Sequence, residues 1–376
     1  MFQYNQTLID ALLQLPRDRY EVVAAYRNEH WENYLKGVAI AKVKVRASSK
    51  AGLLVRKAWR TVHLPTGSWR SLSRYLLPEV QDLIAQRADA WIFPTQDSLA
   101  YQSKYYEAIG TVHDIMHRYE GSFPEVSANG QYRLREELLS NIARYAKAVL
   151  VDSEYGKKQL MESYHTPPDR IYPLPYIAPK YIHHYVPRPD FEKRYTLPAR
   201  FIFYPAQFWM HKNHLRLVRA VHEVKKEFPD IALVLVGSKN NAFAEVERTV
   251  AELGLQGQVY FMGYVPDEDM PEFYKRARAL VMPTFFGPTN IPPLEAFQLG
   301  CPVAISGIYG MPEQAGDAAL LFDPKSVPEM AAAIGRLWRD DALCRALAEK
   351  GRQRAATWQQ AHFSERFRRI IQAVVG

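Results

Sequence analysis

Cysteine is scarce in this sequence: Cys301 and Cys344 are the only two in 376 residues. Two thiols without metal-ligand spacing exclude a disulfide framework and a structural zinc site. Long hydrophobic runs are missing too. No stretch of 18 apolar residues occurs, so no transmembrane helix is expected. The opening MFQYNQTLIDALLQLPRDRY has no basic start, no continuous apolar core and no small-residue cleavage site, and is not read as a signal peptide. These absences point to a cytoplasmic protein. Internal repeats and low-complexity tracts are also lacking. Acidic residues vanish from residues 36–74, a stretch that holds ten Lys and Arg.

What is present is ordinary for a folded protein. Apolar residues make up 48% and charged residues 23%, which excludes a disordered chain. The length allows two domains of usual size. A formal net charge of +8 suggests an anionic partner.

Periodicity predicts strands alternating with helices. Residues 3–15 carry apolar positions at helical spacing, while 20–26, 38–45, 90–94 and 108–112 read as strands. An amphipathic helix is predicted over 131–149, a strand over 149–153, and a helix from GKKQLMESY. Residues 167–198, dense in Pro and Tyr, read as an extended linker with a domain boundary within 176–199. Beyond it, 201–207, 231–237, 259–265, 279–284 and 302–306 are further strands, with helical patterns after 201–207, 259–265 and 279–284. This alternation predicts an α/β fold.

The stretch 279–312, ALVMPTFFGPTNIPPLEAFQLGCPVAISGIYGMP, is the most informative. It reads as strand, polar turn, helix and strand. Pro292 and Pro293 stand in the first helical turn and Gly300 at its close. In such a unit a ligand binds beyond the carboxyl end of the strand, and a phosphate can rest on amides at the helix start. Gly287, Pro288, Thr289, Asn290 and Ile291 are the residues so placed. Glu295, one turn into the helix, can reach sugar hydroxyls beside that phosphate.

This segment resembles the donor loop of family 4 (group 1) retaining glycosyltransferases, whose GT-B fold sets two Rossmann-like domains face to face across a cleft. The family signature is Glu, seven residues, Glu. Glu295 matches the second Glu, which the resemblance implies holds the nucleotide ribose, and Gly287 stands at the first. TVHD followed by FPE, HKN around Lys212, and MGYV extend the resemblance over nearly the whole chain. It implies that His113 contacts the transferred sugar and that Lys212 binds the donor phosphates. Gln207 occupies a position where many members carry Arg. Gly237, Gly263 and Tyr264 would contact the nucleotide. His113, Lys212 and Glu295 form the candidate catalytic set. The implied domains are 1–183 on the acceptor side, 184–357 on the donor side, and a helix within 358–376 returning to the first. A first strand and glycine-rich loop, which the resemblance places ahead of the 3–15 helix, are missing. Either they lie outside this sequence or the first sheet closes differently.

Two clusters imitate metal sites. His113, His117 and Glu120 lie in what reads as a loop, where spacing by four does not create one face. Asp267-Glu268-Asp269 stands at a predicted helix start, with Asp267 the expected N-cap. Neither is taken as a metal site, and no cofactor is expected.

The basic stretch interleaves Trp59, Trp69, Leu53, Leu54 and Leu72 with its cations. A solvated face, a nucleic-acid patch and a surface for anionic lipid share that composition. Within a glycosyltransferase the lipid reading is preferred, with Arg56, Lys57, Trp59, Arg60 and Trp69 meeting membrane or acceptor. The expectation is a retaining hexosyltransferase on the inner face of the membrane. It would move a sugar from a nucleotide diphosphate sugar to a lipid-linked or polysaccharide acceptor, with no nucleic-acid partner. The alternatives are a non-catalytic scaffold subunit, and a GT-B nucleotide-sugar epimerase or phosphorylase.

Overall fold

The computed structural model describes residues 2–183 and 185–376. Its strands are β1 (Val23–Tyr26), β2 (Ala41–Lys44), β3 (Trp91–Ile92), β4 (Ala108–Thr111), β5 (Ala148–Val151) and β6 (Ile171–Pro173), then β7 (Ile202–Pro205), β8 (Leu233–Val236), β9 (Val259–Gly263), β10 (Ala279–Met282), β11 (Val303–Ser306) and β12 (Ala319–Phe322). The pairings among them are parallel. Parallel neighbours need crossovers, which explains the helix after nearly every strand. One sheet has the order β12-β11-β10-β7-β8-β9, a second β3-β4-β5-β6, and β1 pairs with β2 alone. The first-half strands thus form a pair and a quartet, with no pairing between the two among the described residues.

Eight helices matter for the site: α1 (Phe2–Leu13), α2 (Lys50–Thr61), α3 (Thr66–Leu76), α4 (Pro124–Ser127), α5 (Gln131–Tyr145), α6 (Glu154–Tyr164), α7 (Ile291–Leu299) and α8 (Gln360–Val375). Their ends follow local chemistry. The Ser49 and Ser153 hydroxyls accept from the Gly52 and Gly156 amides and so start α2 and α6. Gly300, at φ +70°, stops α7.

The apolar side chains divide by half. Residues from Phe191 to Leu347 make one core around β7–β12. Trp69, Trp91, Leu139, Ile142 and Val149 belong to another. A third cluster joins Tyr4 and Leu8 of α1, Ile109 and Leu150 of the first-half sheet, and Phe363, Phe367 and Ile371 of α8. The last helix therefore returns to the first half. Phe363 and Phe367 are fully buried there, each contributing about 1.5–3 kcal/mol.

Four expectations need correction. The Pro- and Tyr-rich stretch is not all linker, because β6 pairs with β5 inside it. Residues 116–119, read as loop, form a helical turn. The 270–276 helix has Asp269, not Asp267, at its N-cap, and Asp269 turns its carboxylate to Arg194 and the Tyr195 hydroxyl instead of the helix. Trp69 is only 3% exposed, so it fills the first-half core and cannot reach a membrane.

Candidate active site

β7 and β10 are neighbours, yet their chains lead away in opposite directions, to β8 and to β11. At such a switch point the strand-end loops diverge and leave a crevice. The loops after β7, β8, β9 and β10 bring Gln207, Lys212, Gly237, Gly263, Tyr264 and residues 287–291 to one edge of the sheet. That much follows the sequence reading.

Lys212 ends the Met210–Lys212 turn and carries no ammonium hydrogen bond or ion pair among the described residues. Burial pushes its pKa down to about 8, opposed by the Asp114 carboxylate. His211 beside it stacks on Phe286, ring centroids 3.9 Å apart, and burial holds its imidazole neutral. Gln207 is exposed, its amide oxygen accepting from Trp209 Nε1 at 2.9 Å. Gly237 is there for a backbone reason. At φ +150° a Cβ would lie 2.2 Å from the Ala206 carbonyl oxygen, so only glycine lets β7 and β8 end this close. Tyr264 is 74% exposed and open to a ligand.

The donor loop differs from expectation. Gly287 adopts φ +87°, and a Cβ there would meet the Thr289 carbonyl oxygen at 2.7 Å. The residue replacing the signature Glu is thus demanded by the turn. The amides of Thr289 and Asn290, expected to face a phosphate, are already taken. Asp152 accepts from the Thr289 amide at 2.8 Å and its hydroxyl at 2.5 Å, and Gln314 accepts from the Asn290 amide at 3.0 Å. Pro292 and Pro293 have no N–H to offer. The start of α7 is a poor anion site in this structure.

Glu295 is 4% exposed, and the hydroxyls of Tyr181 and Tyr274 both donate to its carboxylate. Burial raises it to about 7 against the pull of both phenols. His113 is likewise committed. Its Nε2 meets the Pro94 carbonyl at 3.1 Å, so that nitrogen carries the proton, and Nδ1 accepts from the Tyr176 hydroxyl at 2.6 Å. Burial lowers its pKa to about 4. With both nitrogens engaged, His113 contacts a sugar only if one of these bonds yields.

The two halves meet through carboxylates that sequence reasoning missed. Glu125 of α4 accepts from the Met210 amide at 2.7 Å and Asn241 at 3.0 Å. Glu313 accepts from the Glu154 and Tyr155 amides at 3.0 and 3.1 Å, capping α6 from the opposite half. Met116 and Val126 pack with Phe285 and Phe286 between them. A cavity of about 210 Å³ remains behind the donor loop, lined by Asp152, Thr289, Glu313 and Arg354 and not by Lys212. His113, His117 and Glu120 do not converge, each being held by other partners. His117 pairs with Glu136 at 2.9 Å, and Glu120 accepts from Tyr309. No group of metal-binding side chains occurs among the described residues.

Two parallel α/β halves, strand-end loops opening on the crevice between them, and a last helix crossing back define the GT-B glycosyltransferase architecture. HepE of Anabaena, solved in complex with UDP and glucose, shares it with a TM-score of 0.71 at 17% identity, over 98% of this chain and 96% of that one. WaaG, a glycosyltransferase involved in lipopolysaccharide biosynthesis, has a TM-score of 0.65 at 15% identity, over 98% and 95%. Residues 189–354 match the family Glycosyl transferases group 1. O-antigen chain mannosyltransferase B of Escherichia coli is 29% identical over 297 residues, 73% of this chain and 75% of that protein. MMP alpha-(1->4)-mannosyltransferase of Mycolicibacterium hassiacum is 30% identical over 154 residues, 39% of this chain and 37% of that protein.

Proposed function

We propose that the protein moves a hexose from a nucleotide diphosphate sugar to a lipid-linked or polysaccharide acceptor, with retention at the anomeric carbon. The observation that carries this reading is Lys212, an ammonium without a partner among the described residues, at the switch point of a domain that matches a glycosyltransferase family. Similarity to the O-antigen mannosyltransferase supports the acceptor class, and the fold shared with UDP-bound HepE supports the donor class. In the reaction the bond from anomeric carbon to diphosphate oxygen breaks while the acceptor oxygen bonds to the same face. Negative charge grows on the departing oxygen, and a fixed cation there lowers the barrier. The acceptor proton leaves to that same oxygen, so no carboxylate pair is required.

The acceptor side would be the first half. A cavity of about 400 Å³ there is lined by Arg56, Trp59, Arg60, Tyr101, Arg133 and Glu137. Arg56 donates to the Tyr101 hydroxyl at 3.1 Å, and Arg60 pairs with Glu137 at 2.6 Å. These two arginines therefore belong to the cavity more than to a membrane. The membrane face shifts to the outer side of α2 and α3, where Leu54 is 68% exposed beside Val62, Leu72 and Tyr75. Lys42, Lys50 and Lys57 lie in the same basic region, exposed and with no ion pair among the described residues. We read this face as docking on anionic lipid, apolar and charge terms adding.

Calorimetric titration with a panel of nucleoside diphosphates and nucleotide sugars tests the donor reading, and the product's anomeric configuration by NMR tests retention. Binding of none of them would leave the scaffold reading. For docking, Lys50→Glu with Lys57→Glu should release the protein from anionic vesicles, and unchanged binding would refute it.

A further inference from the structure

The geometry points to Arg135, in the first half of the chain, as the second cation for the donor diphosphate. This rests on the donor reading above.

A nucleotide diphosphate brings several negative charges, and the second half offers few partners for them. Gln207 is neutral where a cation would help. The Thr289 and Asn290 amides are occupied by Asp152 and Gln314. Lys212 stands alone on that side of the crevice.

The first half supplies what is missing. α4 packs on the Met210–Lys212 turn through Glu125, which lies 3.5 Å from His211 Nδ1, too long for a hydrogen bond but in contact. Phe123, just before α4, sits 5.2 Å from the Phe285 ring of the donor loop. α5 follows α4 after the short turn Ala128–Gly130, and Arg135 lies in its second turn. Arg135 and Lys212 each act on the imidazole of His211, so both charges stand around one side chain.

The guanidinium of Arg135 is only partly used. One amino group meets Asp114, while its Nε is buried with no hydrogen-bond partner. A guanidinium has five N–H groups, so a free edge remains after one carboxylate contact. Asp114 is also the anion that acts on Lys212. Asp114 is thus paired with Arg135 and also acts on Lys212 from the same side of the crevice. A diphosphate entering beside Lys212 takes the free edge of Arg135. Because the two cations come from opposite halves, diphosphate binding also draws the halves together.

The test is calorimetry on Arg135→Gln with UDP, GDP, their nucleosides and inorganic pyrophosphate. The variant should lose about ten- to a hundredfold in affinity for whichever diphosphate the parent binds, and for pyrophosphate, as expected for one charge-assisted contact. Nucleoside affinity and the thermal midpoint should stay close to the parent's. Adding Gln207→Arg should restore diphosphate affinity by replacing the cation from the other side. Unchanged diphosphate affinity in Arg135→Gln overturns the inference, as does equal loss for nucleoside and diphosphate. A parent that binds no nucleotide overturns the donor reading and this inference with it.

Discussion

Glu295 gives the sharpest quantitative test, because its environment sets a pH dependence of stability. The carboxyl is buried, and its ordinary value of 4.5 is raised to about 7 by loss of water. A folded value above the unfolded one means that the folded state binds the extra proton between these limits. The stabilising contribution is therefore complete below pH 4.5 and lost as pH rises through 7. Moving the carboxyl from 4.5 to about 7 corresponds to about 3 kcal/mol. Glu295→Gln keeps the shape, and one phenol can still donate to the amide oxygen, but the group no longer ionises. Urea denaturation of both proteins at pH 4.5 and pH 8 should show the parent losing about 3 kcal/mol more than the variant. Asp152 also rises, to about 6, but it is common to both proteins and cancels in the difference. Parallel stability curves would show that Glu295 is solvated, and the two-tyrosine cradle would be wrong.

Three other outcomes are expected. Lys212→Met should weaken nucleoside diphosphate binding by about tenfold or more in calorimetry and leave nucleoside binding nearly unchanged. Gly287→Glu should not restore the family signature: the left-handed backbone alone costs a non-glycine residue about 1–2 kcal/mol, so thermal stability should fall without a gain in nucleotide affinity. Trp69→Ala should destabilise the fold by about 3–5 kcal/mol, whereas Leu54→Glu should stay within about 0.5 kcal/mol in the same denaturation series.

The second half was the more legible one because local pattern and site coincide there. Each apolar run ends in a loop that lies on the crevice, so strand order in the sequence already lists the site. The switch point between β7 and β10 is not written in any motif, but parallel strands and short crossovers leave few other arrangements. Glu295 was recognisable from its helix; its partners Tyr181 and Tyr274 were not, since neither stands at a fixed spacing from it. Arg135 and Asp152 escaped for the same reason. Asp152 bonds the donor loop from far away in the sequence, Arg135 pairs with Asp114 of its own half, and only packing makes these neighbours. Trp69 was misread because a basic amphipathic stretch shows which residues share a helix face, not which face is covered. Gly287 looked like a loss when read as a missing carboxylate, and its positive φ gives a backbone reason for it.

Trp358, where the chain leaves the second half for α8, donates from its indole to the Pro175 carbonyl at 3.1 Å, where the chain leaves the first. The two covalent crossings are thus bonded side by side at one edge of the molecule. Such a pair of tethers permits rotation about the line through them and resists sliding or twisting. Opening would swing the crevice edge furthest from Trp358 by the largest arc and leave the 175–178 region almost still. It also means that neither half can be produced by one simple cut. A fragment ending near residue 183 would leave Tyr4, Leu8 and Ile109 without the α8 side chains that cover them, so an isolated first half would need that helix joined back to it through a new linker.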